Sequence, residues 1–214
     1  MSDIPFYAQP DSTSCYQACL KMILASLKPE KEYSWEELYT FCDKKPDKWT
    51  WPLRSMINLS QMGFEVINIE QFDYEKFIVN PVIYMEEIFG KEMAEAQDKH
   101  SDIPAEVENA KEFIKKIKTE DRIPTISDLK DLLKQDYKLL LNVNTRVLRD
   151  REGYAGHAII LKYIDDKKVI INDPDGENGE NNEHSLEKFL KAWEYPDEKA
   201  RNIMGVRGNS KFKV

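Results

Sequence analysis

The sequence has few cysteines and no long apolar run, and each shortage excludes a class of protein. Three cysteines in 214 residues are too few, and odd in number, for a disulfide scaffold. No apolar run approaches the roughly 18 residues of a membrane span. The first ten residues, MSDIPFYAQP, lack the basic start and apolar core of a signal peptide. We therefore expect a soluble, cytoplasmic protein with no membrane partner.

The chain also lacks an excess of positive charge. Its formal net charge of -8 argues against nucleic acid as a partner. An apolar fraction of 41% with 11% aromatic residues is typical of a globular protein, and the length fits one domain. The sequence contains no internal repeat and no low-complexity tract. We predict a single domain over residues 1–214, and the sequence leaves its oligomeric state open.

Periodicity and turn signals predict helices first and strands later. Helices are predicted at 15–27, 34–42, 52–62, 128–135 and 186–193, and strands at 64–70, 138–144, 156–164 and 167–173. The first helix is apolar around most of its circumference, which is typical of a central buried helix. Ser127 is the expected start of the fourth. Helices followed by antiparallel strands indicate an α+β fold.

A block of different character lies at about 84–124. Charged residues dominate it, apolar residues recur at helical spacing, and Pro104 separates two expected helices. This pattern predicts a helical insertion into the domain.

The stretch QPDSTSCYQACLKMIL places Cys15 at the start of the first helix. A thiol there lies beside unpaired backbone N–H groups and the positive end of the helix dipole, which favour the nucleophilic thiolate. A nearby imidazole would lower the thiol pKa further. Of the three histidines, His100 lies in the charged block and His184 in a polar run. His157 begins an apolar strand, so we expect it to be buried beside the sheet.

The predicted hairpin supplies a third group. A reversal at Asp165-Asp166 returns the chain so that Asp173 lies near His157, where an acid could fix the imidazole tautomer. The side-chain amide of Gln9, six residues before the cysteine, could form an oxyanion hole with the Cys15 backbone N–H.

Each of these four residues also fits a structural role when it is taken alone. A free cysteine is often an inert core residue, and an aspartate before proline is first a turn signal. Together, four compatible contexts favour a thiol active site. A metal site is the weaker alternative, because no pair of histidines at ligand spacing completes a set with Cys15 and Cys19. We predict no metal and no cofactor, and we interpret Cys19 and Cys42 as core thiols.

The two motifs resemble those of the papain-like, bacteriocin-processing peptidases that cut after a double glycine, and of their stand-alone relatives. The first motif has a glutamine six residues before the cysteine and then Ala-Cys-Leu; the second is 156-GHAIILKYIDDKKVIINDP-174. The resemblance implies a papain-like fold in which the buried first helix packs against an antiparallel sheet. It makes Cys15 the nucleophile, His157 the base, Asp173 its orienting acid and Gln9 the oxyanion donor.

Two features depart from the resemblance. That family usually has glycine after the nucleophile, where this chain has Tyr16, and we expect Tyr16 to narrow the cleft. The resemblance also does not reach residues 84–124. In a papain-like fold the cleft separates the helical half from the sheet half. The block is therefore either a flap that limits substrates to short or flexible peptides, or a helical pair packed away from the cleft.

Three functions fit these residues. We predict a cysteine peptidase that cleaves a peptide or small amide through a thioester acyl-enzyme. An acyl transferase or amidase would use the same Cys-His-Asp layout with another acceptor. A non-catalytic binding domain would keep only the scaffold, because a fold does not dictate a function.

Overall fold

The computed structural model describes residues 4–176 and 178–209. Within them, the strands are β1 (Glu65–Glu70), β2 (Thr119–Asp121), β3 (Lys138–Asn144), β4 (Gly156–Ile164), β5 (Lys168–Asn172), β6 (Asn182–Ser185) and β7 (Asn202–Arg207). The helices are α1 (Cys15–Leu27), α2 (Trp35–Phe41), α3 (Leu53–Gln61), α4 (Tyr74–Val79), α5 (Pro81–Phe89), α6 (Lys91–His100), α7 (Ile103–Lys116), α8 (Ile126–Lys134), α9 (Thr145–Leu148) and α10 (Leu186–Trp193). A 3-10 turn covers Glu198–Ala200.

The seven strands of the described chain form one sheet in the order β2-β1-β7-β3-β4-β5-β6. Neighbours pair antiparallel except β1 and β2, which are parallel. This arrangement confirms the predicted α+β class. The central strands β3, β4 and β7 are covered on both faces, so their residues are apolar with little interruption.

Alternate residues of the central strands serve two separate cores, because successive side chains point to opposite faces of a sheet. Leu140 and Ile160 pack into the core that contains α1. Leu139, Leu141 and Ile159 pack into the core that contains α8 and α10. Helix α1 lies directly on β4, with the side chains from Tyr16 to Leu24 buried. The sheet therefore holds the first helix against the strand that carries His157.

Several predicted boundaries are confirmed. Helices α1 and α10 and strands β3 and β4 begin and end where the periodicity predicts. The capping box of α2 joins Ser34 and Glu37. The expected start of α8 at Ser127 is wrong: Thr125 caps the helix, and Asp128 completes a second capping box. The Thr-x-x-Asp spacing suits the same reciprocal bonds as the Ser-x-x-Glu of α2.

The charged block holds α5, α6, α7 and β2. Pro104 does not separate two helices as predicted, because it lies in the first turn of α7. A proline is tolerated there since the first N–H groups of a helix have no partner within it. The break falls earlier, between His100 and Ile103. Helix α7 packs on α3 and α4.

Candidate active site

The loop before α1 is organised around one carboxylate. Asp11 accepts hydrogen bonds from the Thr13 N–H and hydroxyl, both at 2.8 Å, and from the Ser14 hydroxyl at 2.7 Å. Lys44 donates to the Thr13 carbonyl and hydroxyl from outside the loop. Because its hydroxyl faces Asp11, Ser14 makes no side-chain cap to α1. The first-turn N–H groups beside Cys15 therefore lack a side-chain cap and keep the positive helix end available to a ligand.

His157 lies at the start of β4, and Asp173 directly follows β5. The two strands pair so that Asn172 is opposite Ile160, which returns the next residue toward His157. His157 Nε2 lies 2.6 Å from Asp173 Oδ1, and both residues are less than a tenth exposed. The other side of the ring serves Cys15, whose thiol forms a hydrogen bond with His157. The structure thus brings these three predicted residues together.

The charges of the three groups support one another. Burial alone would raise the pKa of the Cys15 thiol, but the hydrogen bond and charge of His157 lower it below its ordinary value. Burial alone would lower the pKa of His157, but its bonds to Asp173 and Cys15 raise it. Burial opposes ionisation of Asp173 as well, and His157 and Arg149 hold its pKa low. This pattern favours a thiolate–imidazolium pair.

Arg149 holds the turn that carries the acid. Its Nη2 lies 3.3 Å from Asp173 Oδ2, and its Nη1 forms an ion pair with Asp175. The Asp175 N–H donates back to Asp173 Oδ1 at 2.9 Å. Nothing in the local sequence distinguishes Arg149 from its charged neighbours, so sequence reasoning missed it.

Gln9 is attached to the same turn. Its backbone N–H donates to the Pro174 carbonyl at 2.8 Å, and its Nε2 donates to Asp175 Oδ1 at 3.1 Å. Its Oε1 is buried with no hydrogen-bond partner among the described residues. One hydrogen of the Gln9 amide nitrogen is used in the bond to Asp175, and the second remains for a substrate oxygen. The role of Gln9 as oxyanion donor stays a prediction.

Cys15 and His157 line a cleft that contains a cavity of about 150 Å³. Its walls come from the 49–53 segment, the chain after β1, the loop before β4, and the α5–α6 pair. Phe89, Met93 and Gln97 bring the α5–α6 pair into the cleft wall. Residues of the charged block therefore face the same space as the cysteine.

A model of the Peptidase_C39 like family matches residues 1–200. The chain belongs to this family. No curated protein matches it in sequence. Family and fold are those of papain-like cysteine peptidases.

Two solved structures resemble this member of the Peptidase_C39 like family. The first is the peptidase domain of Streptococcus ComA, a bi-functional ABC transporter involved in a quorum sensing pathway; it has a TM-score of 0.51 and 14% identity, covering 95% of this chain and 98% of that one. The second is a C39-like peptidase from Bacillus anthracis, with a TM-score of 0.51 and 12% identity, covering 98% of each chain. At these identities the likeness concerns the fold, and it confirms the predicted papain-like architecture. Across residues 4–176 and 178–209, none of the helices combines the length and apolarity needed to cross a membrane.

Tyr16, which follows the cysteine in this member of the family, is 2% exposed. Its hydroxyl lies 2.5 Å from Ser55 Oγ and 3.1 Å from Met204 Sδ, both in the core. The ring therefore forms part of the cleft wall and extends away from the cleft rather than across it. We expected Tyr16 to narrow the cleft, and a ring that points in this direction does not do so.

The other two cysteines are core residues, as predicted. Cys19 and Cys42 are at most 1% exposed, and burial raises the pKa of each thiol. Within the described ranges, no three His, Cys, Asp or Glu side chains are grouped to hold a metal ion.

Proposed function

We propose that this protein is a cysteine peptidase with Cys15 as nucleophile, His157 as acid and base, and Asp173 as the orienting acid. The observation that carries the proposal is the position of His157 between the thiol and the carboxylate, at the uncapped N-terminus of α1. Peptidase activity is the reaction that best uses this pair, because the thiolate attacks a carbonyl while the imidazolium protonates the departing amine.

The first half of the reaction forms an acyl-enzyme. The Cys15 sulfur bonds to the substrate carbonyl carbon, and the carbonyl electron pair moves to oxygen. The Cys15 backbone N–H and the free hydrogen of the Gln9 amide stabilise this oxyanion. His157 then gives its proton to the amine as the C–N bond breaks, leaving a thioester on Cys15.

The second half restores the enzyme. Neutral His157 takes a proton from water, whose oxygen attacks the thioester carbon. The C–S bond breaks and releases a carboxylic acid, and the thiolate–imidazolium pair forms again. Asp173 keeps Nε2 of the ring fixed through both halves, so that the other ring nitrogen always faces the reacting atoms.

The fold neighbours support this reaction class, since both are described as peptidases. The transporter and quorum-sensing roles belong to ComA and are not carried over. A peptide is accordingly the proposed substrate.

Incubation with a complex mixture of short peptides, read by mass spectrometry of new termini, tests the proposal. We expect cleavage by the native protein and a loss of at least about 10³-fold in the Cys15→Ala variant. The Lys134→Ala variant, which changes an exposed ion pair with Asp131 on α8, is the control and should cleave normally. Products that form only when an amine acceptor is added would instead identify an acyl transferase. Absence of both reactions in the native protein contradicts the proposal.

A further inference from the structure

One end of the cleft is an aromatic chamber. We use this name for the space lined by Trp49, Trp51, Phe72, Tyr74, Phe89 and Tyr154, which belongs to the same cavity as Cys15 and His157. The whole cavity measures about 150 Å³. An apolar cavity of about that size holds a benzene ring. This cavity is open and also has polar walls from residues such as Thr50 and Asn142, so it has room for one large side chain together with the reacting bond.

The chamber roof, α6, is fixed to the helical half of the protein. Trp51 Nε1 donates to Gln97 Oε1 at 3.0 Å, and the Trp49 N–H donates to the His100 carbonyl at 2.6 Å. The Trp49 ring stacks on the His100 ring with centroids 4.8 Å apart. The end of α6 cannot move away from the 49–51 segment without breaking these two hydrogen bonds.

The same helix also reaches the sheet half. Tyr195 donates to Glu92 Oε2 at 3.0 Å, and its ring stacks on Tyr154 with centroids 6.0 Å apart. Tyr154 contacts Trp49 edge-on, with centroids 6.3 Å apart. Helix α6 is thus attached on both sides of the cleft and closes it next to His157, which follows Tyr154 by three residues.

Three charged side chains besides His157 line the cavity, namely Glu70, Lys199 and Arg201. Glu70 already accepts hydrogen bonds from Asn68 and Tyr74, and burial raises its pKa. Arg201 is paired with Glu194 through Nη2, and its Nε is buried with no hydrogen-bond partner among the described residues. The aromatic rings of the chamber pack partly on one another, as Phe72 does on Phe89, and the parts that line the cavity offer apolar surface to an incoming group.

We propose that the aromatic chamber binds one aromatic or large aliphatic side chain of the peptide, next to the bond that Cys15 attacks. This specificity builds on the proposed function. It differs from a preference for glycine at that position, because glycine would leave the apolar chamber unfilled and lose the burial that the rings provide.

Binding to the inactive Cys15→Ala variant tests the chamber without catalysis. Blocked tripeptides that differ only in a central Phe, Leu, Gly or Lys are titrated by calorimetry. We expect the Phe and Leu peptides to bind at least about tenfold more tightly than the Gly peptide, because each buries several apolar carbons. Equal affinities, tightest binding of the Lys peptide, or no binding of any peptide would overturn the proposal.

A variant that fills the chamber provides the second measurement. Met93 lines the cavity from α6, and Met62 is an exposed residue at the end of α3. In the Cys15→Ala background, Met93→Trp should abolish the preference for Phe over Gly, and the matched Met62→Trp should keep it. If Met93→Trp still binds the Phe peptide more tightly than the Gly peptide, the side chain binds elsewhere and the proposed role of the chamber is wrong.

The outcomes separate the two proposals. Selective binding without cleavage by the native protein keeps the chamber and removes the peptidase function. Cleavage with no preference among the four peptides keeps the peptidase and removes the chamber.

Discussion

The three cysteines show how strongly the pKa of a thiol depends on its surroundings. Cys15, Cys19 and Cys42 lie in the same helical half, yet only Cys15 has its pKa lowered. The difference comes from His157, because burial raises the pKa of all three thiols and only Cys15 has an imidazole to oppose it. Reactivity should therefore follow His157 rather than exposure alone.

Removal of His157 should raise the pH at which Cys15 becomes reactive. In the native protein the lowered pKa keeps the thiolate, so iodoacetamide should alkylate Cys15 well below the pH of an ordinary thiol. In His157→Gln the burial effect is unopposed, and alkylation near neutral pH should slow by about tenfold or more. Mass spectrometry of the labelled peptides measures this, with the buried Cys19 and Cys42 as internal references.

His184→Gln is the control for that substitution. His184 lies in the edge strand β6 and interacts electrostatically with Asp173, whereas only His157 bonds to the thiol, so His184→Gln should shift the Cys15 profile far less than His157→Gln does. An unaltered pH profile in His157→Gln would show that another group activates the thiol.

Much of the site could be predicted from the sequence, because local signals position it. The helix start fixes Cys15, and the length of one hairpin brings Asp173 to His157. Arg149 could not be predicted, since it reaches Asp173 from a loop whose path depends on the whole sheet. The bond from Gln9 to Asp175 joins residues 166 positions apart, and no local pattern encodes it.

Among the elements, the turn after β5 carries the strictest steric requirement. The Asp173 N–H donates to the Gly179 carbonyl at 2.8 Å. A Cβ at Gly179 would lie 1.6 Å from the Asp173 carbonyl oxygen, far inside any allowed contact. The absence of a side chain at Gly179 is therefore what lets the turn close on the acid.

Gly179→Ala should displace Asp173 and reduce turnover. The clash is with backbone, so the turn itself has to move and the imidazole loses its orienting partner. We expect peptide cleavage to fall by about 10²-fold or more, the range of a general acid–base contribution. Gly208→Ala is the matched control, because its Cβ would meet nothing within 4 Å. Equal activity of the two variants would mean that the turn tolerates the shift.

The predicted elements are the long periodic ones, and the missed elements are short or interrupted. Strand β7 was not predicted, although it lies between β1 and β3 in the sheet. Its interior glycine, Gly205, weakens the strand signal; a Cβ there would lie 2.7 Å from Ile67 and 3.1 Å from Tyr137. Strand β6 is a polar edge strand, and β2 has three residues. Such elements owe their conformation to neighbours rather than to their own sequence.

At the scale of the whole molecule, the helical half contains one acid that opposes folding at high pH. Glu106 is 6% exposed, and burial raises its pKa to about 7 despite hydrogen bonds from Asn109 and the Trp51 backbone. The unfolded chain has the lower, ordinary value. Between those two pKa values the folded state binds more protons than the unfolded state. Ionisation of Glu106 therefore lowers stability as pH rises from about 4.5 through about 7.

Glu106→Gln should remove that loss. The amide does not ionise, so the variant should gain up to about 3 kcal/mol of unfolding free energy relative to the native protein as pH rises from 5 to 8. Urea unfolding at both pH values measures the difference. Glu108→Gln, an exposed substitution on the same helix, should show the native pH dependence. If Glu106→Gln changed the unfolding free energy by the same amount at both pH values, a raised pKa of Glu106 would be contradicted.

The position of the chamber has a kinetic consequence. In the proposed complex the bound side chain occupies the chamber that α6 covers, next to Cys15. After cleavage, the fragment that carries that side chain still occupies the chamber and must leave before the next substrate can bind. That fragment should therefore act as a competitive product inhibitor, and the other fragment should not.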